Sequence, residues 1–233
     1  MILSAPIHAL KRQARNRARA VSVPLHVALD ALARKEGFRN WSHLAARDAV
    51  TGQARKLLAR LSPGSLVLLG ARPGQGKTLL ALDLVCQAVR SGRSTAFFTL
   101  EYTSHQVRAM IRDQAGDPDR TRIDTSDTIS AAHIIATLAT PAPDTFVVAD
   151  YLQLLDHRRS SAPLSEQMAD LKHFARATGA TILCLSQIDR RFCAADKQLP
   201  TLDDVRLPNP LDLGLFDTSV FLNDNRIELH AVA

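Results

Sequence analysis

The chain has 233 residues, of which 46% are hydrophobic and 22% are charged, and its formal net charge is +6. This size and composition are ordinary for one sizeable globular domain with a small addition. Because no apolar run approaches ~18 residues and the N-terminus lacks a long apolar stretch, we expect neither a membrane span nor a secretory signal. The cysteines Cys86, Cys184 and Cys193 lack metal-ligand spacing, which predicts reduced thiols in a cytoplasmic protein.

Charge is distributed unevenly along the sequence. Residues 1–60 hold 12 of the 29 Lys and Arg residues but only 3 of the 23 Asp and Glu residues. Such asymmetry is typical of proteins with a polyanionic partner, most often nucleic acid. Arg12 and Arg15 lie in the densest part of this basic segment and are our candidate nucleic-acid contacts there, although a solvated basic helix face is a common alternative.

The first 50 residues predict a small unit of three helices. Apolar residues recur at helical spacing over 7–21 and again over 24–36, and Asn40 is placed to cap a third helix that carries Trp41. An Arg-rich transit peptide is an alternative for the first residues, but the patterning that continues through Trp41 favours a folded module. The polar stretch 51–55 predicts a break before a further helix that ends near Leu61.

From residue 65 onwards, strands and helices alternate. Strands are predicted at 66–69, 94–100, 145–149 and 181–185, and helices at 104–114, 130–138 and 164–178, with room for one short strand in the polar loop 117–126. A hairpin of strands 218–222 and 227–232 follows. Alternation of this kind predicts an α/β fold with a mostly parallel central sheet flanked by helices. We therefore divide the chain into a basic helical unit, 1–50, and an α/β domain, 51–233.

The stretch 65–78, SLVLLGARPGQGKT, is a P-loop. An apolar strand leads into a glycine-rich turn, then Gly-Lys-Thr, then a helix. Backbone N–H groups of such a loop surround phosphates, Lys77 reaches the β- and γ-phosphates, and Thr78 places its hydroxyl on Mg²⁺. Ala71 replaces the usual first glycine, which is acceptable only if its φ is negative. The sequence thus predicts ATP and Mg²⁺ as cofactors, held by Ala71, Arg72, Pro73, Gly74, Gln75, Gly76, Lys77 and Thr78.

Polar residues end three of the other predicted strands. In a parallel sheet these ends meet at the edge where ligands bind. Asp150 is predicted to hold Mg²⁺, Glu101 to act as the general base on the attacking water, and Gln187 to sense the γ-phosphate or orient water. Each alone is an ordinary polar residue that closes a strand; beside a P-loop they form a candidate catalytic set with Lys77.

Four segments in order resemble the motifs of the DnaB-type replicative helicase ATPase domain, a RecA-like P-loop fold. They are ARPGQGKTLLALDL, FFTLEYTS, VVADYLQLL and LCLSQIDRR. The resemblance implies the same roles for Lys77, Thr78, Glu101 and Asp150, and it implies that Gln187 couples nucleotide to DNA. It also implies single-stranded DNA as a partner, contacted by arginines on the loops after two strands: Arg158, Arg159, Arg190 and Arg191.

The resemblance has limits that shape the expected activity. The large N-terminal domain of replicative helicases is replaced by the basic unit, and the family's basic C-terminal segment corresponds here to Asn223-Asp224-Asn225-Arg226. Arg226 is the one candidate for a finger that completes a neighbour's site. We therefore expect an ATPase that acts on or binds DNA, with conditional self-association and little or no processive unwinding by the protein alone.

Two other classes of function remain open. An ATP-dependent switch or adaptor would bind a protein partner through residues 1–50. A small-molecule P-loop kinase is less favoured because the sequence offers no recognisable lid. Stimulation of hydrolysis by single-stranded DNA separates the DNA-acting ATPase from both.

Overall fold

The computed structural model describes residues 3–150, 152, 162–189, 191–192, 197–207, 209–224 and 226–232. The helices are α1 (Ile7–Ala20), α2 (Leu25–Lys35), α3 (Trp41–Leu58), α4 (Lys77–Arg90), α5 (Ser104–Asp113), α6 (Ala131–Leu138) and α7 (Leu164–Thr178). The strands are β1 (Leu66–Ala71), β2 (Thr95–Thr99), β3 (Thr121–Asp124), β4 (Phe146–Asp150), β5 (Thr181–Gln187), β6 (Thr218–Asn223) and β7 (Arg226–Ala231). No helix within this described part is long and apolar enough to cross a membrane.

A single seven-stranded sheet forms the centre of the fold. Its order is β3-β2-β4-β5-β1-β6-β7. Strands β1 to β6 pair in parallel, and only β7 runs antiparallel, as the second arm of a hairpin with β6. The predicted α/β class with a mostly parallel sheet is confirmed. Because β1 lies between β5 and β6, it is an interior strand of the sheet. The glycine loop that follows β1 therefore emerges among the carboxyl ends of the parallel strands.

Alternate side chains of each strand pack on opposite faces of the sheet. On one face, Leu66 and Leu68 join a core completed by α6 and α7. On the other, Val67 and Leu69 join a core completed by α4, α5 and the end of α3. Strands buried on both faces read as continuous apolar runs, which is why LVLL was recognisable in the sequence.

The N-terminal unit has its own small core. Leu10, Ala14 and Ala18 recur every four residues along α1 and face buried residues of α2 and of α3, among them Leu32 and Leu44. The three predicted helices are present. The opposite face of α1 carries the basic residues.

Helix α3 differs from the expectation. The predicted break over the polar stretch 51–55 is wrong, because the helix runs unbroken from Trp41 to Leu58. Ala54, Leu57 and Leu58 fall at helical spacing and are buried in the core shared with α4 and α5. Burial of this apolar face stabilises a helix more than its local composition does. The division of the chain at 50/51 stays a prediction. Helix α3 crosses this boundary and connects the N-terminal unit to the sheet domain.

Gly70, inside β1, has a packing role that the P-loop pattern did not reveal. A Cβ atom at this position would lie 2.8 Å and 2.9 Å from two ring carbons of Phe221 and 3.0 Å from Cδ1 of Ile188. Because overpacking a tight core forces side chains to shift, we expect Gly70→Ala to lower the free energy of unfolding by about 1–3 kcal/mol. Urea denaturation measures this difference.

The matched control is Gly52→Ala in α3. A Cβ atom there meets nothing within 4 Å. Alanine in a helix is favoured over glycine by about 1 kcal/mol, so this variant should be neutral or more stable. Equal stability of the Gly70→Ala variant and the unaltered protein would contradict this prediction. It would show that the side chains of Phe221 and Ile188 move to accommodate the methyl group without a loss of folding free energy.

Candidate nucleotide-binding site

A cavity of about 330 Å³ opens at the sheet edge beyond the carboxyl ends of β1, β2 and β5. It lies where the glycine loop passes into α4, with the ends of the neighbouring strands as its walls. Its lining residues are Ala71, Arg72, Pro73, Gly74, Gly76, Lys77, Thr78, Leu79, Glu101, Tyr102 and Gln187. The structure thus brings seven of the eight predicted P-loop residues, all except Gln75, together with two of the three predicted strand-end residues.

The loop backbone has the conformation that a phosphate cradle requires. Gly74 and Gly76 adopt φ values of 78° and 85°, which residues with a Cβ atom rarely adopt. Gly76 also precedes the first residue of α4, so the positive end of that helix faces the cavity. Ala71, in contrast, belongs to β1 and is not among the residues with positive φ. Alanine therefore fits the position at which glycine is usual.

Two lining residues, Lys77 and Thr78, form a polar cluster with Asp150, which lies behind them and is not itself among the lining residues. The Oγ1 hydroxyl of Thr78 donates to Oδ2 of Asp150 at 3.2 Å, and Nζ of Lys77 lies 3.5 Å from Oδ1. Burial raises the pKa of Asp150 to about 6; Lys77 opposes this rise, and the nearby Glu101 adds to it. The single lysine therefore does not fully compensate the burial of this carboxylate, and a bound cation would stabilise its ionised form.

Glu101 and Gln187 stand on the walls above this cluster. Glu101 is exposed, and its backbone N–H donates to Oγ1 of Thr99 at 3.1 Å, which fixes the turn after β2. Gln187 pairs in register with Ala71 at the ends of β5 and β1. Both side chains reach the same cavity from strands on either side of β4, the strand that ends in Asp150.

Two lining residues were missed by sequence reasoning. Leu79 is 52% exposed although it lies in the first turn of the apolar helix α4, and nothing in its sequence context distinguishes it from its buried neighbours. Tyr102 follows Glu101 directly, so its adjacency to a candidate base was the available signal. Both belong to the cavity wall.

The hairpin of β6 and β7 touches the P-loop of the same chain. The backbone N–H of Asp224 donates to Oε1 of Gln75 at 2.9 Å, while Arg226 hydrogen-bonds to the side chain of Gln198. Gln75 and Arg226 are not among the residues that line the cavity. The role of Arg226 as a finger towards a neighbour stays a prediction.

Three of the six predicted nucleic-acid residues are described, and none of these three is among the residues that line the cavity. Arg12 and Arg15 are exposed on α1. The side chain of Arg191 is 92% exposed and pairs with Asp189 at 3.2 Å. The remaining three, Arg158, Arg159 and Arg190, lie outside the described residues.

Comparisons with known proteins find similarity to replicative DNA helicases. The sequence model of the DnaB-like helicase C terminal domain matches residues 53–134. The "Replicative DNA helicase DnaB" of Helicobacter pylori is 26% identical, and the match covers 73% of this chain and 46% of that protein. The resemblance to DnaB-like helicases is confirmed. The "Probable plasmid replicative DNA helicase" of Chlamydia trachomatis is 25% identical, and the match covers 72% of this chain and 44% of that protein.

Solved structures agree on the fold. A DnaB-like replicative helicase superposes with a TM-score of 0.61 at 16% identity, covering 96% of this chain and 70% of that one. A second solved structure, of an ATPase domain, gives a TM-score of 0.56 at 21% identity, covering 72% of this chain and 73% of that one. At such identities the likeness establishes a RecA-like fold and nothing finer. The chain spans less than half the length of the two curated relatives named above.

Proposed function

We propose that this chain is an ATP-binding and ATP-hydrolysing DnaB-like protein that acts on or binds DNA, in single-stranded form, with Mg²⁺ as its metal. One observation carries the nucleotide part. A glycine-loop cavity is lined by Lys77, Thr78, Glu101 and Gln187, and Asp150 contacts both Lys77 and Thr78. The DNA part is supported by the likeness to replicative helicases and by the basic N-terminal unit.

The residues at the base of the cavity fit a magnesium–triphosphate group. Mg²⁺ prefers hydroxyl and carboxylate oxygens, which Thr78 and Asp150 supply from adjacent positions. The metal, when bound, would neutralise charge on the phosphates. Lys77 would bind the β- and γ-phosphates from the first turn of α4 and is held near Asp150 until they arrive.

The wall residues fit the hydrolytic step. Glu101 is exposed to solvent in the cavity, so its carboxylate can accept a proton from a water molecule there. Gln187 offers an amide that can hydrogen-bond both water and a γ-phosphate oxygen. Since β5 pairs with β1 through Gln187 and Ala71, a shift in the loop would pass directly to β5.

The exposed face of α1 fits a polyanion. It carries Lys11, Arg12, Arg15, Arg17 and Arg19, and the helix contains no acidic residue. Within the described part of the chain, none of these cations is in an ion pair, so their charge is available for phosphate contacts.

Neutralising this face tests the DNA proposal. Each phosphate contact on single-stranded DNA contributes about −0.7 to the slope of log K against log salt concentration. We expect the triple variant Arg12→Gln, Arg15→Gln and Arg19→Gln to weaken binding of a single-stranded oligonucleotide and to flatten that slope by about 2. Fluorescence anisotropy over a salt series measures both.

Arg34 and Lys35 provide the control, since they are exposed cations on α2. A double Gln variant at these positions should bind DNA with a slope within about one contact of the unaltered protein. An unchanged slope in the triple variant would remove α1 from the DNA-binding surface.

A second candidate is an ATP-dependent switch that binds a protein partner through the N-terminal unit. The observation in its favour is that the unit, beyond its own core, exposes Val21, Leu25 and Val27 near the α1–α2 turn. The ATPase rate with and without single-stranded DNA, measured alongside the mass in solution, separates the two. Stimulation by DNA supports the first proposal, and an unresponsive ATPase supports the switch.

A further inference from the structure

A buried ion pair connects the N-terminal unit to the P-loop helix. Asp83 lies in α4 and is fully buried. Arg47, from α3, donates to both of its carboxylate oxygens, Nη2 to Oδ1 at 2.6 Å and Nη1 to Oδ2 at 3.0 Å. Burial raises the pKa of Asp83, and Arg47 opposes that rise. A buried carboxylate held by a bidentate arginine is strongly dependent on that partner.

The same guanidinium also reaches the end of α5. Nη2 of Arg47 lies 3.5 Å from the carbonyl oxygen of Gln114, and Nη2 of Arg90 donates to the same oxygen at 3.3 Å. In return, Nε2 of Gln114 donates to the carbonyl oxygen of Leu79 at 3.1 Å. The first turn of α4 and the end of α5 are thus fastened to each other beside the Arg47–Asp83 pair.

These two helices carry the two halves of the candidate site. Helix α4 begins with Lys77 and Thr78, and α5 begins at Ser104, three residues after Glu101. A rigid junction between them therefore sets the distance from the phosphate-binding groups to the candidate base. Arg47 enters this junction from α3, whose N-terminal half packs in the core of the N-terminal unit.

The geometry points to Arg47 as a positioning residue of the nucleotide site. Through Asp83 and Gln114 it sets the relative placement of α4 and α5, and so makes ATP hydrolysis depend on the N-terminal unit. This inference rests on the proposed ATPase function and adds to it a requirement for a residue outside the sheet domain. Displacements of about 1 Å caused by substitutions away from the reacting groups can cost up to ~10²-fold in rate.

The test compares Arg47→Gln, Asp83→Asn and the double variant with Arg55→Gln. Arg55 is an exposed residue on the same helix and serves as the control. Binding of an ATP analogue by the unaltered protein is measured first. Then kcat and KM are measured for each variant well below its melting temperature, with folding verified by circular dichroism.

We expect each single variant to lower kcat/KM about 10–100-fold, and Arg55→Gln to leave it unchanged. The double variant should lose less than the product of the two single losses, because the second substitution acts on a pair that is already broken. Arg47→Lys keeps a positive charge beside Asp83 but loses the bidentate contact. This variant should fold, and its kcat/KM should lie between those of Arg47→Gln and the unaltered protein.

Two results would overturn the inference alone. One is a set of variants that melt earlier yet keep the unaltered kcat/KM while folded, since the pair would then serve only stability. The other is full multiplicativity of the two single losses. Failure of the unaltered protein to bind the ATP analogue would overturn the proposed function and this inference together.

Discussion

Replacing Lys77 by Ala is expected to abolish measurable ATP hydrolysis and to weaken triphosphate binding. The side chain is buried and lines the cavity, with its ammonium 3.5 Å from Asp150, so its removal takes a positive charge away from the phosphate-binding loop. Removing one preorganised donor to developing phosphate charge costs about 10²–10³-fold in kcat, and a charged donor sits at the upper end. Phosphate release and calorimetric titration with an ATP analogue measure the two effects.

The control for Lys77→Ala is Lys35→Ala, which removes an exposed lysine from α2. Its hydrolysis and binding should match those of the unaltered protein. Lys77→Arg adds a second comparison, because arginine keeps the charge but replaces a compact ammonium with a broad, planar group. Hydrolysis by the Lys77→Ala variant at the unaltered rate would mean that the cavity is not the catalytic site.

The sequence predicted the elements that are locally determined. The apolar runs ending at Ala71, Asp150 and Gln187 could each be assigned to a buried strand without knowledge of the fold. Parallel pairing then brings strand ends to one edge, so the convergence of Glu101 and Gln187 on the P-loop followed from topology alone. The P-loop itself needs only a contiguous motif.

Tertiary packing decided what the sequence could not show. The stretch 51–55 is polar in composition, yet α3 continues through it because Ala54 and Leu57 are buried against the sheet domain. Asp83 appears as a lone acid in an apolar helix, and Arg47 stands 36 residues away in another unit. No periodicity links two such positions, so their ion pair appears only in three dimensions.

Glu101→Gln should lose turnover, as Lys77→Ala does, but unlike Lys77→Ala it should retain ATP binding. A general base contributes about 10²–10⁴-fold, and glutamine keeps the shape of the side chain while being unable to accept the proton. The substitution also removes a negative charge that raises the pKa of Asp150, so the affinity for an anionic triphosphate should be unchanged or higher.

Single-turnover hydrolysis and equilibrium binding of a fluorescent ATP analogue separate these two effects for Glu101→Gln. Glu166→Gln in the first turn of α7 makes the same change of charge at an exposed position outside the cavity, and it should leave both quantities unaltered. Equal turnover in Glu101→Gln and the unaltered protein would remove Glu101 from catalysis.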